Sequence, residues 1–480
     1  MSYSEYMKEA NLIDGKWVQA DSGKTFPVFN PATSEIVGVV PASSSIETKR
    51  AILAASKAFP QYSTKPLLER VSLLWNLHDA LLDNQKNLAE LLTVEQGKPL
   101  AEATGEIAIG AAYIRWFAEE IRRNKGEIVP ASAKDRRILV TKHAVGVVGM
   151  ITPWNFPSSM LARKIGPALA TGCTIVAKPA SATPYSGLAW GALCQEAGFP
   201  NGVVNILTGP ANEIGSAIMS SSLVRKVTFT GSTEVGKELI KSSAATVKKV
   251  SMELGGNAPF LVFNDADIDK AVQGAIVSKF RNSGQTCVCA NRIYVQSDVY
   301  KEFLNKFIIE TAKMKVGDGR ELDVEQGPLI DMDAVLKVEE LLNDAITKGA
   351  KIALGGERHR KGHTFFSPTI VTGAKQNMRF SKEEIFGPLA PVFQFESEEE
   401  AIMMANDTDF GLCSYAYTRD VGRIMRLNEK LEYGMIGINS GLITTVEAPF
   451  GGVKESGLGK EGGSQGLEDY LDTKYTALDF

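Results

Sequence analysis

From Ala144 onward, short runs of apolar, often β-branched residues alternate with longer segments in which apolar residues recur at helical spacing. Strands joined by helices return in the same direction, and right-handed crossovers then place helices on both faces of a parallel sheet. The pattern therefore predicts a doubly wound α/β domain, with ligands beyond the carboxyl ends of its strands. The predicted strands are 145–151, 174–177, 203–207, 227–230 and 249–253, and the helices are 158–169, 185–197, 212–220 and 234–245.

A second α/β series follows the Gly255-Gly256 pair and predicts a separate domain over 254–445. Before Ala144, an amphipathic helical region over 47–126 precedes residues 127–142, whose alternation and charges predict a projecting hairpin. The second series comprises helices 268–280, 298–314, 333–347 and 398–405, strand 293–295, and strands near Lys351, Leu389, Ser414 and Met435.

Length and charge narrow the classes of function. A chain of 480 residues exceeds the size at which one hydrophobic core usually stops growing, so two or more domains are expected. A net charge of -4 provides no broad positive field, which argues against nucleic acid or an anionic membrane as the principal partner. The charged first ten residues and the absence of an apolar run of about 18 residues predict a cytoplasmic protein.

The cysteines and histidines show no metal-binding pattern. Five cysteines are an odd, sparse set without the spacing of a disulfide framework or a zinc site, which fits a reducing compartment. Four histidines form no HExxH motif. No metal is therefore predicted.

Three polar residues are candidates for catalysis. Cys287 lies among small and polar residues between a helix end and a strand, where an exposed thiol could ionise and attack. Glu253 ends a strand just before Gly255-Gly256 and suits a general base, and Asn155 lies between two prolines, where its amide could stabilise an oxyanion. Taken singly, each has an ordinary alternative: a buried inert thiol, a solvated glutamate and an Asx-turn.

Two glycine-rich segments are candidates for binding phosphate. Residues 231–236 link a strand to a helix, so their amides and the helix N-terminus could hold a pyrophosphate. The literal GxGxxG match, at residues 457–462, follows no predicted strand. We interpret it as a chance match in a loop.

Together these segments closely resemble the aldehyde dehydrogenase superfamily, in the family's order and over nearly the whole chain. The combination favours the chemical interpretation of each residue over its structural alternative. Residues 95–103 and 284–292 are most similar to the succinate-semialdehyde dehydrogenases of that superfamily. The motifs are Pro153-Trp154-Asn155-Phe156-Pro157, Lys178-Pro179, Phe229-Thr230-Gly231-Ser232, Glu253-Leu254-Gly255-Gly256, Gly284-Gln285-Thr286-Cys287, Glu383-Glu384-Ile385-Phe386-Gly387-Pro388 and Pro449-Phe450-Gly451-Gly452.

The resemblance implies a domain plan and a mechanism. By position, Cys287 forms a thiohemiacetal and then a thioester, Asn155 and the Cys287 backbone N–H stabilise the oxyanion, and Glu253 activates the hydrolytic water. The implied cofactor contacts are Thr152, Pro153, Trp154, Lys178, Ser181, Gly231, Ser232, Leu254, Glu384 and Phe386. The implied domains are a dinucleotide-binding domain over 1–125 and 145–253, a catalytic domain over 254–445, and an oligomerisation hairpin with a C-terminal segment over 126–144 and 446–480.

Cofactor and substrate preferences follow from further matched positions. NAD-preferring members often carry a glutamate where this chain has Ser181, and a neutral hydroxyl leaves room for a 2′-phosphate, so we expect NADP to be preferred, with NAD as a second acceptor. Arg163 and Arg281 match the arginines that bind the distal carboxylate in the succinate-semialdehyde enzymes. A nearby family serine is replaced by Thr444 or Thr445. The expected substrate is succinate semialdehyde or a similar short carboxylated aldehyde such as glutarate semialdehyde.

Two further expectations rest on the resemblance. Cys289 lies two residues from Cys287, a spacing that in some relatives permits a reversible disulfide; passive packing is the alternative. Family members pair through the hairpin and the C-terminal strand, which predicts a homo-oligomer, either a dimer or a tetramer.

Other classes of function stay open at this point. Arg163 and Arg281 could bind the phosphate of a sugar-phosphate aldehyde, and aliphatic or aromatic aldehydes are further alternatives. A coenzyme-A-acylating enzyme is disfavoured by the retained Glu253. A non-catalytic structural homologue would be expected to lack Cys287, Glu253 or Asn155, and all three are present.

Overall fold

The computed structural model describes residues 3–480. Its N-terminal part forms two short strand pairs, four helices and a hairpin. Ser44 and Glu47 cap the first helix reciprocally, which explains why it begins at Ser45. These elements are β1 (Asn11–Ile13), β2 (Lys16–Val18), β3 (Thr25–Phe29), β4 (Ile36–Pro41), α1 (Ser45–Ser63), α2 (Leu67–Asp83), α3 (Gln85–Gln96), α4 (Leu100–Glu120), β5 (Glu127–Val129) and β6 (Arg136–Ala144).

The predicted doubly wound sheet follows. All five predicted strands and all four helices form, and the strands are parallel to one another. Buried apolar side chains form separate clusters with the helices around this sheet. The elements are β7 (Val147–Ile151), α5 (Ser159–Thr171), β8 (Thr174–Lys178), α6 (Pro184–Glu196), β9 (Val204–Ile206), α7 (Ala211–Ser220), β10 (Val224–Thr230), α8 (Thr233–Ser243) and β11 (Lys249–Glu253).

The second α/β series builds a second, largely parallel sheet with its own core. Its strand order is 14-15-16-13-12-17-18, and only the first of these runs antiparallel to its neighbour. The elements are β12 (Ala258–Val262), α9 (Ile268–Phe280), β13 (Ala290–Gln296), α10 (Ser297–Thr311), α11 (Met332–Thr347), β14 (Lys351–Leu354), β15 (Thr369–Thr372), β16 (Leu389–Phe395), α12 (Glu398–Asn406), β17 (Cys413–Tyr417), α13 (Val421–Lys430) and β18 (Met435–Ile438).

Two late strands return to earlier sheets. β19 (Gly457–Leu458) pairs with β11, and β20 (Leu471–Asp479) pairs along its whole length with β6. The first sheet therefore has the order 19-11-10-7-8-9-1-2, and β20, β6 and β5 form a separate antiparallel sheet. Within residues 3–480, no helix combines the length and apolar character needed to cross a bilayer. Short 3-10 turns occupy Tyr3–Glu5, Ile121–Arg123, Ala244–Thr246, Arg281–Gly284, Arg379–Ser381, Lys454–Ser456 and Gln465–Tyr470.

Several elements were absent from the sequence prediction. β12 contains Pro259, a residue that normally argues against a central strand, yet β12 lies between β13 and β17. The register shifts between Ala258 and Pro259, and such an irregularity tolerates the missing N–H. β1 and β2 were also missed, because three-residue strands are too short to show a period.

Candidate active site

Cys287 lies in the loop between α9 and β13 and lines two cavities. Its side chain is half-buried, and each cavity has a volume of about 370 Å³. The first, here the Trp154 cavity, is walled by loops that follow β7, β10 and β11. The second, here the Arg281 cavity, is walled by α4, α5 and the loop that carries Cys287. One sulfur is thus accessible from two sides.

The loop before Cys287 has an uncommon backbone conformation. Asn282, Ser283 and Gly284 have φ angles of +52°, +58° and +75°. Two consecutive non-glycine residues in the left-handed region persist only where their surroundings hold them. Asn282 is held from α3, because Gln96 Nε2 donates to its Oδ1 at 3.0 Å.

Asn155 lines the Trp154 cavity together with Cys287. Its backbone carbonyl accepts hydrogen bonds from Asn282 Nδ2 at 3.0 Å and Lys98 Nζ at 2.8 Å. Its side-chain Nδ2 donates to Gln285 O at 3.0 Å. This bond uses one of the two amide hydrogens, so the second can serve a ligand oxygen.

Glu253 ends β11 and is buried, but it lines neither cavity. A Cβ atom placed on Gly451 would lie 2.7 Å from Glu253 Oε1, so the carboxylate rests against that glycine. Burial, and then the neighbouring Glu461, raise the pKa of Glu253 well above its usual range. This environment therefore favours the protonated form of Glu253.

Glu461 pairs with two cationic side chains in the interior next to Glu253. It accepts a hydrogen bond from Lys164 Nζ, and its Oε2 lies 3.1 Å from Arg163 Nε. Burial alone would raise the pKa of Glu461, but Lys164 and Arg163 outweigh it and hold the pKa below its usual value. Sequence reasoning missed Lys164 and Glu461. Their only signals were the positions beside Arg163 and inside the GxGxxG match.

The Trp154 cavity has the features of a dinucleotide site. The Trp154 ring meets the Phe386 ring edge-on at 5.5 Å between centroids. Ser232 caps α8, with its oxygen accepting from the Val235 N–H at 3.4 Å, so a helix N-terminus lies at the cavity wall. Seven of the predicted cofactor contacts line it, namely Pro153, Trp154, Gly231, Ser232, Leu254, Glu384 and Phe386.

Glu384 provides a carboxylate in the same cavity. Its Oε1 accepts a hydrogen bond from Gly256 N at 3.0 Å. Burial raises the pKa of Glu384 to about 7. A carboxylate in this environment is suited to accept hydrogen bonds from ribose hydroxyls.

Thr152, Lys178 and Ser181 do not line either cavity. The Thr152 N–H donates to Lys178 O at 3.2 Å, so both residues stand at the carboxyl ends of neighbouring strands β7 and β8. Burial lowers the pKa of Lys178 to about 8, and its amine donates to Pro179 O at 3.0 Å. Ser181 is exposed beyond this edge.

The Arg281 cavity brings the three predicted substrate residues together with Cys287. The Arg163 guanidinium is buried, packs 4.0 Å from the Phe450 ring centroid and is paired with Glu461. The Arg281 guanidinium lies 5.3 Å from the Phe156 ring centroid. Among residues 3–480, it makes no hydrogen bond and no ion pair within 4 Å, so its donors are free to bind a ligand.

The structure distinguishes the two threonines at the family's serine position. Thr444 lines the Arg281 cavity. The Thr445 hydroxyl instead donates to the Glu447 carboxylate. Thr444 is therefore the residue that a substrate in this cavity would meet.

The two thiols of the loop have different surroundings. Burial raises the pKa of Cys287 to about 12, against the opposing effect of Arg163. The Cys289 thiol is buried and donates to Lys279 O at 3.1 Å. A disulfide between them stays a prediction.

A buried ion pair beneath the site was not predicted. Lys98 Nζ lies 2.6 Å from Glu106 Oε2, and both side chains are almost fully buried. Glu106 Oε1 accepts from the N–H groups of Ser158 and Ser159 at 2.9 and 3.1 Å. The similarity over residues 95–103 was the available signal, because that segment contains Lys98.

The GxGxxG match has a structural role of its own. Gly457 pairs with Glu253 across β19 and β11. A Cβ atom on Gly457 would lie 2.2 Å from Met252 O. The segment is thus an edge strand pressed against β11, rather than a strand-to-helix turn.

A doubly wound sheet with a cavity at its carboxyl edge, and a cysteine shared with a second cavity, define a dinucleotide-dependent enzyme that works through a thiol. The family model described as "Aldehyde dehydrogenase family" matches residues 17–476. The chain belongs to this family and is an NAD(P)-dependent aldehyde dehydrogenase.

Several similar proteins are named for the aldehyde that they oxidise. The chain is 54% identical to a glutarate-semialdehyde dehydrogenase of Pseudomonas aeruginosa, covering 99% of this chain and 98% of that one. It is 54% identical to a 3-sulfolactaldehyde dehydrogenase of Pseudomonas putida, covering 98% and 97%. It is 51% identical to an NADP-dependent succinate-semialdehyde dehydrogenase of Escherichia coli, covering 99% and 98%. A crystal structure of an NADP-dependent enzyme of E. coli matches with a TM-score of 0.99 and 51% identity, covering 99% of both chains.

Proposed function

We propose that this enzyme oxidises succinate semialdehyde, or a similar short carboxylated aldehyde such as glutarate semialdehyde, to the dicarboxylic acid, with NADP preferred over NAD. The observation that carries the proposal is the Arg281 guanidinium, which has no ion-pair partner among residues 3–480, in the cavity that Cys287 lines. A guanidinium fork binds a carboxylate through two parallel hydrogen bonds. The names of the similar enzymes of Pseudomonas aeruginosa and E. coli agree with this substrate class.

In the proposed reaction, the Cys287 thiol first releases its proton to solvent; the thiolate sulfur then forms a bond to the aldehyde carbon, and the carbonyl oxygen takes the electron pair of the C=O bond. The free amide hydrogen of Asn155 and the Cys287 N–H stabilise that oxyanion. Loss of hydride leaves a thioester. Glu253, after rotating from Gly451, takes a proton from water; the resulting hydroxide attacks the acyl carbon, and the Cys287 thiolate leaves.

The Trp154 cavity fits the cofactor that this reaction needs. Bound NADP would supply the hydride acceptor. The N-terminus of α8 at Ser232 offers free N–H groups to a pyrophosphate, and Glu384 offers a carboxylate to ribose hydroxyls. Lys178 and Ser181, at the adjoining strand ends, would hold the adenosine ribose and its 2′-phosphate.

Substitution of Arg281 tests the substrate class. Loss of a charge-assisted hydrogen-bond donor costs about 1.5–3 kcal/mol, which corresponds to roughly a 10- to 100-fold change in binding. We expect Arg281→Gln to lower kcat/KM for succinate semialdehyde by that factor in a 340 nm assay, while propanal oxidation is unchanged. Intact succinate semialdehyde turnover with impaired propanal turnover would show that the arginine does not bind the carboxylate.

Substitution of Ser181 tests the cofactor. A glutamate there would place a negative charge next to a 2′-phosphate and would favour a free ribose hydroxyl instead. We expect Ser181→Glu to reduce the ratio of kcat/KM for NADP to that for NAD by at least about tenfold, the equivalent of 1.4 kcal/mol. Ser181→Ala, which adds no charge, is the matched control. Wild-type enzyme that prefers NAD would contradict the assignment at the outset.

Other anionic aldehydes are the second candidates. The guanidinium of Arg281 would also bind a phosphate or a sulfonate, and the similar 3-sulfolactaldehyde dehydrogenase is named for an aldehyde of the latter kind. The same assay with phosphorylated, sulfonated, aliphatic and aromatic aldehydes ranks these substrates directly.

We also propose that the chain forms a homo-oligomer. β20 pairs with β6 on one side only, and its residues Tyr475 and Leu478 are exposed, as is Phe480 beyond it. An exposed strand edge with apolar side chains is unfavourable in water and is well suited to pair with a second copy.

A further inference from the structure

The Cys289 thiol occupies a closed environment on the far side of the catalytic loop. Only 6% of the residue is exposed, and it lines neither cavity. Its sulfur donates to Lys279 O at 3.1 Å and lies 3.8 Å from Ala290 O. Cys289 is therefore placed against the end of α9 rather than toward substrate.

Lys279 directs an amine into the same environment. The residue is 0% exposed, and among the described residues its Nζ has no hydrogen-bond partner of normal geometry. The amine interacts with the Cys289 thiol, and burial lowers the pKa of Lys279. Because an unpaired buried ammonium is costly, burial shifts the amine toward its neutral, nucleophilic form.

The proposed reaction uses neither Lys279 nor Cys289. Within residues 3–480, the Lys279 amine has no hydrogen-bond partner of normal geometry, and burying it in this way lowers the stability of the fold. Burial raises the pKa of Cys289, and the adjacent Lys279 offsets part of that rise.

We propose that Lys279 and Cys289 form a reversible redox site in which hydrogen peroxide joins Nζ to Sγ through one oxygen atom. One peroxide oxidises the thiol to a sulfenic acid and releases water. A second peroxide oxidises the amine and the sulfenic acid together, forming the N–O bond and releasing two waters. The balance is one amine, one thiol and two peroxides giving one N–O–S bridge and three waters.

The bridge would restrict the loop that carries Cys287. Residues 281–289 connect α9 to β13, and they hold Cys287 through the strained turn at Asn282 and Ser283. A covalent tie between Lys279 and Cys289 would close this segment into a loop and restrict its motion. We therefore expect a reversible loss of dehydrogenase activity that does not require a disulfide to Cys287.

Mass spectrometry of the peroxide-treated, full-length enzyme tests the proposal. We expect a Lys279–Cys289 cross-linked peptide whose mass exceeds that of the two reduced peptides by one oxygen less two hydrogens. Two molecules of dithiothreitol supply four hydrogen atoms, which should restore the free amine, the free thiol and one water. The cross-link should persist in Cys287→Ser and be absent in Lys279→Met and Cys289→Ser.

The wild-type spectrum decides the matter even if a variant fails to fold. Cys289 recovered as a free thiol, as sulfinic acid, or in a disulfide with Cys287 would overturn the proposal. Activity after treatment gives a second readout: the recoverable part of the loss should disappear in Cys289→Ser. Equal recovery in Cys289→Ser and the wild type would likewise reject the bridge.

Discussion

In the structure, Glu253 does not lie where its proposed role as general base requires it. The carboxylate lies against Gly451, outside both cavities, and burial together with Glu461 favours its protonated form. A protonated carboxyl cannot remove a proton from water. Thioester hydrolysis should therefore depend on a side-chain rotation coupled to loss of this proton.

The pH dependence of turnover follows from this raised pKa. Because the base is the deprotonated form, kcat should rise with pH through a range above the ordinary glutamate value of about 4.3. Glu253→Gln should remove this rise and lower kcat by roughly 100- to 10,000-fold. Stopped-flow measurement should still show one burst of reduced cofactor per active site, because the burst precedes hydrolysis. An unchanged steady-state rate would assign the base to another group.

At the scale of elements, the junction of α3 and α4 supports the catalytic loops. Gln96 holds Asn282, and Lys98 holds the carbonyl of Asn155 while it pairs with Glu106. Glu106 in turn accepts hydrogen bonds from the N–H groups at the N-terminus of α5. Three separate elements are thus linked by one buried polar network, and removing a member leaves its partner without compensation.

Breaking the buried pair should affect both stability and rate. We expect Lys98→Met to destabilise the enzyme by about 3–5 kcal/mol, because it leaves Glu106 charged in the interior. Since the Asn155 carbonyl also loses a donor, kcat should fall at temperatures where the variant is folded. The control is Lys65→Met, which breaks a pair of the same 2.6 Å length to Glu69 at the surface. That control should cost no more than about 1 kcal/mol in urea unfolding.

At the scale of the whole molecule, the first and second sheets contribute residues to the site, and the third sheet does not. The Trp154 cavity is lined both by loops of the first sheet and by residues of the second, such as Glu384. The third sheet, β20-β6-β5, is exposed over most of its surface. The predicted domain plan stays a prediction; within the sheets, β19, which that plan assigned to the C-terminal segment, pairs with β11 of the first sheet.

Assembly should be sensitive to single substitutions on the third sheet. Burying a tyrosine side chain contributes about 1.5–3 kcal/mol, so we expect Tyr475→Lys to weaken self-association by roughly 10- to 100-fold. Tyr475 is 64% exposed in the single chain, and its replacement should leave the fold intact. Analytical ultracentrifugation gives the readout, with Leu322→Lys, at an 80% exposed position, as the control. A monomeric wild-type enzyme would contradict the proposed oligomer.

Much of the fold was predictable from local pattern. The five parallel strands β7 to β11 of the first sheet were predicted from runs of β-branched residues, and Ile268–Phe280 was predicted with the bounds that the structure has. The motifs at Cys287, Asn155 and Arg281 also identified residues that share cavities. Local pattern could not predict how short or irregular strands pair. β19, for example, pairs with a strand about 200 residues earlier in the chain.

The sequence by itself determined the class of the enzyme, because periodicity and spaced motifs are properties of neighbouring residues. Only the tertiary structure showed which charged groups have partners. Arg163 and Arg281 are equivalent in a sequence comparison, yet Arg163 is paired with Glu461, whereas Arg281 has no ion-pair partner in the part of the chain that the structure describes. The position of Glu253 against Gly451 and the burial of Lys279 likewise depend on contacts between distant segments. Such contacts arise when the chain packs, and packing sets the burial and pairing that control reactivity.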